Sequence, residues 1–300
     1  MITLKPADFP KRLKNIDDMP AQLYVNGGFG VGFDETPTVG IIGARDNSLY
    51  GRKVAQQIAQ ELANCGIIII SGMARGLDAH AHRGALSANG RTIAVLPSGI
   101  NVCYPQENYE IFKQIPQNGA LVTEYPPDHK PQKWHFPARN RIISALSDIL
   151  IVVEAGERSG TFITVDHALN QGKEVLVVPG NITSKQSKGA NMLIKQGAGI
   201  ITSYLDAIII LQRQRHLEKF FKALKADNKS ITMTSTQVAQ NFLLANEHSL
   251  VYSCINHEPC TIDFIVYKTG LSVAQINTIL LEMELMGRIK KITGNRYILN

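Results

Sequence analysis

The chain has 300 residues, a formal net charge of +6 from 31 basic and 25 acidic side chains, and 44% hydrophobic residues. That is enough for one large domain or two ordinary ones with a sizeable core, and it excludes collagen, coiled coil and extended disorder. No apolar run approaches the roughly 18 residues that span a bilayer, and the opening MITLKPADFPKRLKNIDD has no signal-like apolar stretch, so a cytoplasmic location is expected.

Residues 1–36 show little periodicity. GGFGVGF at 27–33 imitates part of a dinucleotide fingerprint, but Phe33 stands at its third glycine. The segment reads as a short, turn-rich N-terminal extension. From 37 onward apolar runs alternate with helical stretches. TVGIIG (38–43) reads as a buried strand, and Val54, Ile58 and Leu62 follow at helical spacing. GIIIIS (66–71), TIAVL (92–96), ALVTE (120–124), DILIVVE (148–154) and EVLVVP (174–179) read as further strands, with AGIIT (198–202) a weaker one. Continuous Val/Ile/Leu strands separated by helices predict an α/β fold with a doubly wound, mostly parallel, Rossmann-like sheet over 37–212.

Residues 213–246 are polar, basic and rich in Ser and Thr, and read as a linker. Residues 247–300 then form a compact module. HSLVYSCI and TIDFIVYKTG suggest two short helices. Val273, Ile276, Leu280 and Met283 share one face of a third. RIKKITGNRYIL reads as two strands turning at Gly294-Asn295. Three helices and a hairpin are the winged-helix layout.

In an open parallel sheet, ligands bind beyond the carboxyl ends of the strands. The loops there carry Arg45, then Ser71-Gly72, then Ser159-Gly160-Thr161, then Lys185, Lys188 and Asn191. Small residues before helices, with cations among them, make anion sites, and a row of them suits a phosphate chain. KPQKWHFPARNR (130–141) adds the chain's only Trp, Phe136 and four cations. Aromatic rings interleaved with cations are what single-stranded nucleic acid needs. Arg139 and Arg141 open a predicted helix, where the helix dipole disfavours cations unless an anion is near.

Other chemistries lack their residues. There is no phosphate-loop G-x-x-x-x-G-K-[ST], no G-x-S-x-G and no H-E-x-x-H. His80 and His82 stand two apart on a helix, so Asp78-Ala-His-Ala-His82 reads as a tie between helix and loop. Cys65, Cys103, Cys254 and Cys260 form no C-x-x-C pair and read as free thiols. No metal, cofactor or catalytic residue is expected.

VGIIGARDNSLYG, SGMARGLDAHAHRGAL, TIAVLPSGINVCYP, LVTEYPP, HFPARNRIISALSD, VVEAGERSGTFITVDHAL and VVPGNITSKQSKGANMLIKQGA cover about 38 to 201. In these stretches, in this order, the chain resembles the DNA-processing protein A family, the Smf and DprA type of bacterial transformation. The resemblance implies a non-catalytic single-stranded-DNA binder that protects incoming strands and loads RecA recombinase. It implies a homodimer and some dealing with single-strand-binding protein. It puts phosphate contacts on Arg45, Ser71, Gly72, Arg139, Asn140, Ser159, Gly160 and Thr161. Lys133 and Phe136 take the family's cation and stacking positions, and Lys185, Lys188 and Asn191 lie in a matching loop. Pro97-Ser98 departs from the family's glycine-rich loop, and 36 residues are too few for the sterile-alpha-motif-like domain of many relatives.

Two other readings compete. In the first, a transcription regulator reads duplex DNA through Gln275, Asn277 and Thr278, with wing cations Arg288, Lys290, Lys291 and Arg296, while the sheet senses a small anion. In the second, a nucleotide phosphoribohydrolase uses a P-G-G-x-G-T-x-x-E motif, but Thr164 stands here at the acidic position.

Overall fold

The computed structural model describes all residues except 15, 17, 228–250, 253, 256–258, 286–288, 293–295 and 300. It divides into two compact units, Met1–Leu224 and Lys225–Asn300.

The first unit is built on a nine-stranded sheet. Its strands are β1 (Ile2–Leu4), β2 (Leu23–Gly27), β3 (Thr38–Ile42), β4 (Ile68–Ser71), β5 (Thr92–Val95), β6 (Ala120–Thr123), β7 (Ile149–Val152), β8 (Glu174–Val177) and β9 (Gly199–Ile200). They lie in the order β1-β2-β6-β5-β4-β3-β7-β8-β9. β3 to β9 pair in parallel, while β1 and β2 pair antiparallel at the β6 edge. The chain winds outward from β3 to β6, then returns to lay β7 on the other side of β3. Strand order therefore reverses between β3 and β7, which opens a crevice at their carboxyl ends.

Period-two alternation sends side chains to both faces. Val39 and Ile41 meet α1 (Leu49–Asn64), α2 (Leu77–Ser87) and α7 (Tyr204–Gln212). Ile42, Leu150 and Val152 meet α4 (His135–Leu146), α5 (Thr161–Asn170) and α6 (Lys188–Lys195). α3 (Tyr109–Asn118) packs Ile111 and Ile115 against Met73, Ala94 and Leu121. Both faces are covered, so the strands read as unbroken apolar runs.

Two boundaries differ from the sequence reading. The first 36 residues are no mere extension. They supply β1 and β2, and Leu13, Leu23 and Val25 are fully buried in the core. Residues 213–224 are no linker. Leu217 and Phe221 of this stretch are buried against the α1 side, and α8 (Glu218–Asp227) begins there. Sparse periodicity hid both, because each short piece buries only one or two side chains. The rest of the expected linker, 228–246, lies outside the described residues.

A buried ion pair ties these ends together. Arg12 donates to Asp148 at 3.0 and 2.9 Å and to the carbonyls of Phe33 and Thr36. His216 meets the same carboxylate at 3.1 Å, and the Thr38 amide donates to it at 2.8 Å. Burial pushes the Asp148 carboxyl up, but His216, Arg12 and Thr38 outweigh it and hold it below its ordinary range. A carboxylate held low contributes stability at neutral pH that is lost as pH falls through that range. Asp148→Asn is therefore expected to cost about 1–3 kcal/mol at neutral pH, the cost of an unmet buried hydrogen-bonding group. Chemical denaturation against pH checks this: the gap between the two proteins should narrow in acid.

The second unit is smaller. Described in it are β10 (Cys260–Thr261), α9 (Ile262–Thr269), α10 (Val273–Leu285), β11 (Ile289–Ile292) and β12 (Arg296–Leu299). β10, β12 and β11 form one antiparallel sheet, and β10 was not expected from the sequence. Ile276, Leu280 and Met283 are buried as expected, together with Val251, Ile265, Ile289 and Tyr297. Val273 is instead half exposed at the helix start. Half of the first expected helix and the turn at 294–295 lie outside the described residues. The rest keeps the winged-helix layout. Among the described residues no single helix is long and apolar enough to cross a membrane.

Candidate nucleic-acid interface

The crevice between β3 and β7 is a cleft of about 880 Å³. Six segments line it: the loop after β3, the loop from β4 into α2 with Ala74 and Asp78, Tyr104 from the loop after β5, the start of α4, the loop after β7, and the loop after β8.

The β3 loop presents Arg45, which is exposed. Its backbone is fixed from several sides. The Ala44 amide donates to the Glu154 carbonyl at 2.8 Å, joining the β3 and β7 loops. The buried Glu154 carboxylate accepts from the Ser48 amide at 3.0 Å and from its hydroxyl. Ser48 in turn caps α1 by accepting from the Gly51 amide at 3.0 Å. Asn47 donates to the Arg45 carbonyl at 3.0 Å and accepts from Arg52 at 2.7 Å. Gly76 closes the far side at φ +87°, where a Cβ would strike Asn47 and the Ala44 carbonyl.

The start of α4 adds Lys133, which is exposed, and Phe136, which is half-buried. The Arg45 guanidinium lies over the Phe136 ring, 4.7 Å from its centroid. Cation and ring thus form one platform. Tyr104 meets Phe136 at 5.7 Å between centroids, with planes 69° apart. Trp134 is exposed, meets His135 edge-on, and is not among the residues that line the cleft.

The β7 loop brings Arg158, Ser159 and Gly160 to the cleft at the start of α5. The Ser159 hydroxyl accepts from the Thr161 amide at 3.2 Å and bonds its hydroxyl at 2.8 Å. The Phe162 and Ile163 amides are likewise taken, by the carbonyls of Ser159 and Gly160, so this helix start favours an anion through its positive dipole end. Lys185 and Gln186 close the cleft from the β8 loop.

Several expected contact residues sit elsewhere. Ser71 is fully buried, and its hydroxyl donates to the Ile41 carbonyl at 2.6 Å. Gly72 lies under the cleft, where a Cβ would stand 2.6 Å from both Arg139 Nη2 and Asp78 Oδ2. Both serve as support below the surface. Asn191 is spent on Gly180, donating at 2.9 Å and accepting at 3.2 Å. Lys188 faces Glu157 at 3.4 Å, outside the cleft lining.

Arg139 needs the largest correction. It borders the cleft but is only 3% exposed. Its guanidinium donates to the carbonyls of Gly72 and Val95, at the ends of β4 and β5, and to Asn140 Oδ1 at 3.1 Å. Burial pulls its pKa down to about 10, with Asp78 holding it up, so it stays cationic at neutral pH. Burial pushes the Asp78 carboxyl up, and Arg139 offsets part of that. Asp78 also accepts from the Ala74 amide at 3.3 Å, which is the helix-to-loop tie expected of it. Arg141 is likewise buried and paired, at 2.7 Å with Glu124 and 3.0 Å with Asp18. Internal partners therefore explain both arginines at the helix start.

Tyr104 lines the cleft without being marked by the sequence, and Arg158 lies in an expected binding loop without being singled out as a contact. Tyr104 belongs to SGINVCYP, so its motif was visible, but the loop's fold-back onto Phe136 was not. His82 lies away from the cleft lining. It is fully buried, bonds the Thr92 hydroxyl at 2.7 Å, and burial pulls its pKa to about 3. Among the described residues no group of three or more His, Cys, Asp or Glu could hold a metal ion.

A family model described as DNA recombination-mediator protein A matches residues 1–212, and one described as the DprA winged helix domain matches 237–295. The chain is 40% identical to the DNA processing protein DprA of Bacillus subtilis, over 68% of this chain and 69% of that protein. It is 36% identical to the protein Smf of Escherichia coli, over 97% of this chain and 76% of that one. DNA processing protein A of Helicobacter pylori, solved in a study of its single-stranded DNA binding mode, superposes with a TM-score of 0.64 at 33% identity. That match covers 71% of this chain and 95% of the solved one. With its sheet and its winged helix both matched, the chain belongs to the DNA recombination-mediator protein A family.

Proposed function

We propose that the cleft binds single-stranded DNA, and that the protein protects incoming strands and loads RecA recombinase onto them without catalysing a reaction itself. The observation that carries this reading is the Arg45–Phe136 platform set between Lys133 and the helix terminus at Ser159-Gly160-Thr161. A base stacks on a ring or guanidinium plane, while flanking cations and the positive end of a helix take the phosphates. Arg45, Lys133 and Lys185 are the direct cationic contacts in this reading, and Asn140 a polar one. Lys188 and Asn191 act through the loop they brace. The solved Helicobacter pylori relative, described by its single-stranded DNA binding mode, supports it. The protein works in the cytoplasm as a homodimer, and it gains access to strands held by single-strand-binding protein.

Loading has its own test. RecA hydrolyses ATP on DNA only slowly while single-strand-binding protein covers the strand. Adding this protein should shorten the lag before hydrolysis, and it should slow nuclease digestion of the bare strand. An unchanged lag at saturating protein would remove the loading role and leave strand binding.

A further inference from the structure

Beside the main cleft lies a second lobe of about 340 Å³. It shares Arg45, Tyr104 and Phe136 with the cleft and adds Arg75 and Pro105. Tyr104 is 42% exposed although its ring meets Phe136, so a face remains open to a ligand. The lobe's floor is rigid. Asn108, almost wholly buried, donates to the carbonyls of Met73 and Ala74 at 3.0 and 3.2 Å. The Ala74 amide is held by Asp78. At the rim, Arg75 pairs with Glu107 at 2.9 Å, both well exposed.

We propose that this lobe seats a second base of the bound strand, stacked on Tyr104, and that the tilt between Tyr104 and Phe136 selects single strands over duplex. This rests on the strand-binding reading of the main cleft. The selection follows from geometry. Neighbouring bases in a duplex lie parallel and stacked on each other. Two bases laid on rings 69° apart cannot be parallel. Only an unpaired strand can splay its bases this far, because no partner strand holds them in register. Arg75 then takes the phosphate between them. Its present partner is an exposed carboxylate, and such pairs are weak, so exchange for a phosphate is easy. Acidic Asp46 at the same rim keeps a single strand to one path, because the backbone avoids it.

The test uses the full chain and dT oligonucleotides carrying one 2-aminopurine, whose fluorescence is quenched on stacking. Tyr104→Leu is expected to bind about tenfold more weakly, the value of one lost base stack. The quench should vanish at one oligonucleotide position only, and the excess affinity for single strand over duplex should shrink. Tyr104→Phe keeps the ring and should restore all three. Arg75→Ala should lower the salt slope by about 0.7, one phosphate's share for single strands. Lys133→Ala serves as the control for the main cleft. If Lys133→Ala weakens binding while Tyr104→Leu keeps wild-type affinity, quench and selectivity, the second lobe is wrong and the cleft stands. If both variants bind as wild type does, the cleft reading fails and takes the second lobe with it.

Discussion

Arg139→Met is expected to destabilise the first unit by about 3–5 kcal/mol, because it strips a buried carboxylate of its cation. The side chain looks from the sequence like a phosphate contact at a helix start. Its surroundings give it another role. Its guanidinium ties together the ends of β4 and β5 through the Gly72 and Val95 carbonyls, and Asp78 faces it across Gly72. Met fills similar volume but satisfies neither carbonyl and leaves Asp78 uncompensated. Asp78 should then take up a proton, since burial already pushes its carboxyl up. The variant should melt far below the wild type, and strand binding should fall with folding. Gly72→Ala probes the same spot from the other side, because the new methyl would press on both charged groups. If Arg139→Met melts normally but no longer binds DNA, Arg139 is a direct contact and the support role is wrong.

The opposite pattern is expected of Arg45→Ala with Lys133→Ala. Both side chains are exposed, so the double variant should melt within a degree or two of wild type. Each charge-assisted phosphate contact is worth about 1.5–3 kcal/mol, so with both removed affinity for a dT oligonucleotide should fall by at least about 100-fold. The log–log salt slope should flatten by about 1.4 for two phosphates on a single strand. Arg45 should contribute more of the loss than Lys133, because its guanidinium also packs on Phe136. Affinity titrations at several salt concentrations, alongside thermal melts, read out both halves. Normal binding with a lowered melting temperature would reverse the assignment.

The contrast between these variants marks how far residue type alone reaches. The parallel strands were legible because a sheet covered on both faces needs unbroken apolar runs, as IIII at 67–70 and ILIVV at 149–153 show. The position of the cleft followed from where the strands end. The fate of each loop residue did not. Ser71 and Ser159 stand in similar Ser-Gly sequences, yet one hydroxyl is spent on the Ile41 carbonyl and the other borders the cleft. Arg45 and Arg139 are both cations in loop or helix-start positions, yet one is exposed and the other buried. Burial is set by contacts distant in sequence, such as Arg139 with Val95 or Arg12 with Asp148. The N-terminal strands were missed for a related reason: β1 has three residues and gains its place only by pairing with β2.

The most direct measurement is fluorescence anisotropy of a labelled dT oligonucleotide at two salt concentrations, with matching duplex as competitor. Tight binding that weakens steeply with salt and that duplex displaces poorly is the expected result, since phosphate contacts release counterions and tilted aromatic rings need unpaired bases. Binding that ignores salt, or that duplex competes for as well as single strand does, would contradict a single-strand cleft at the β3–β7 crevice.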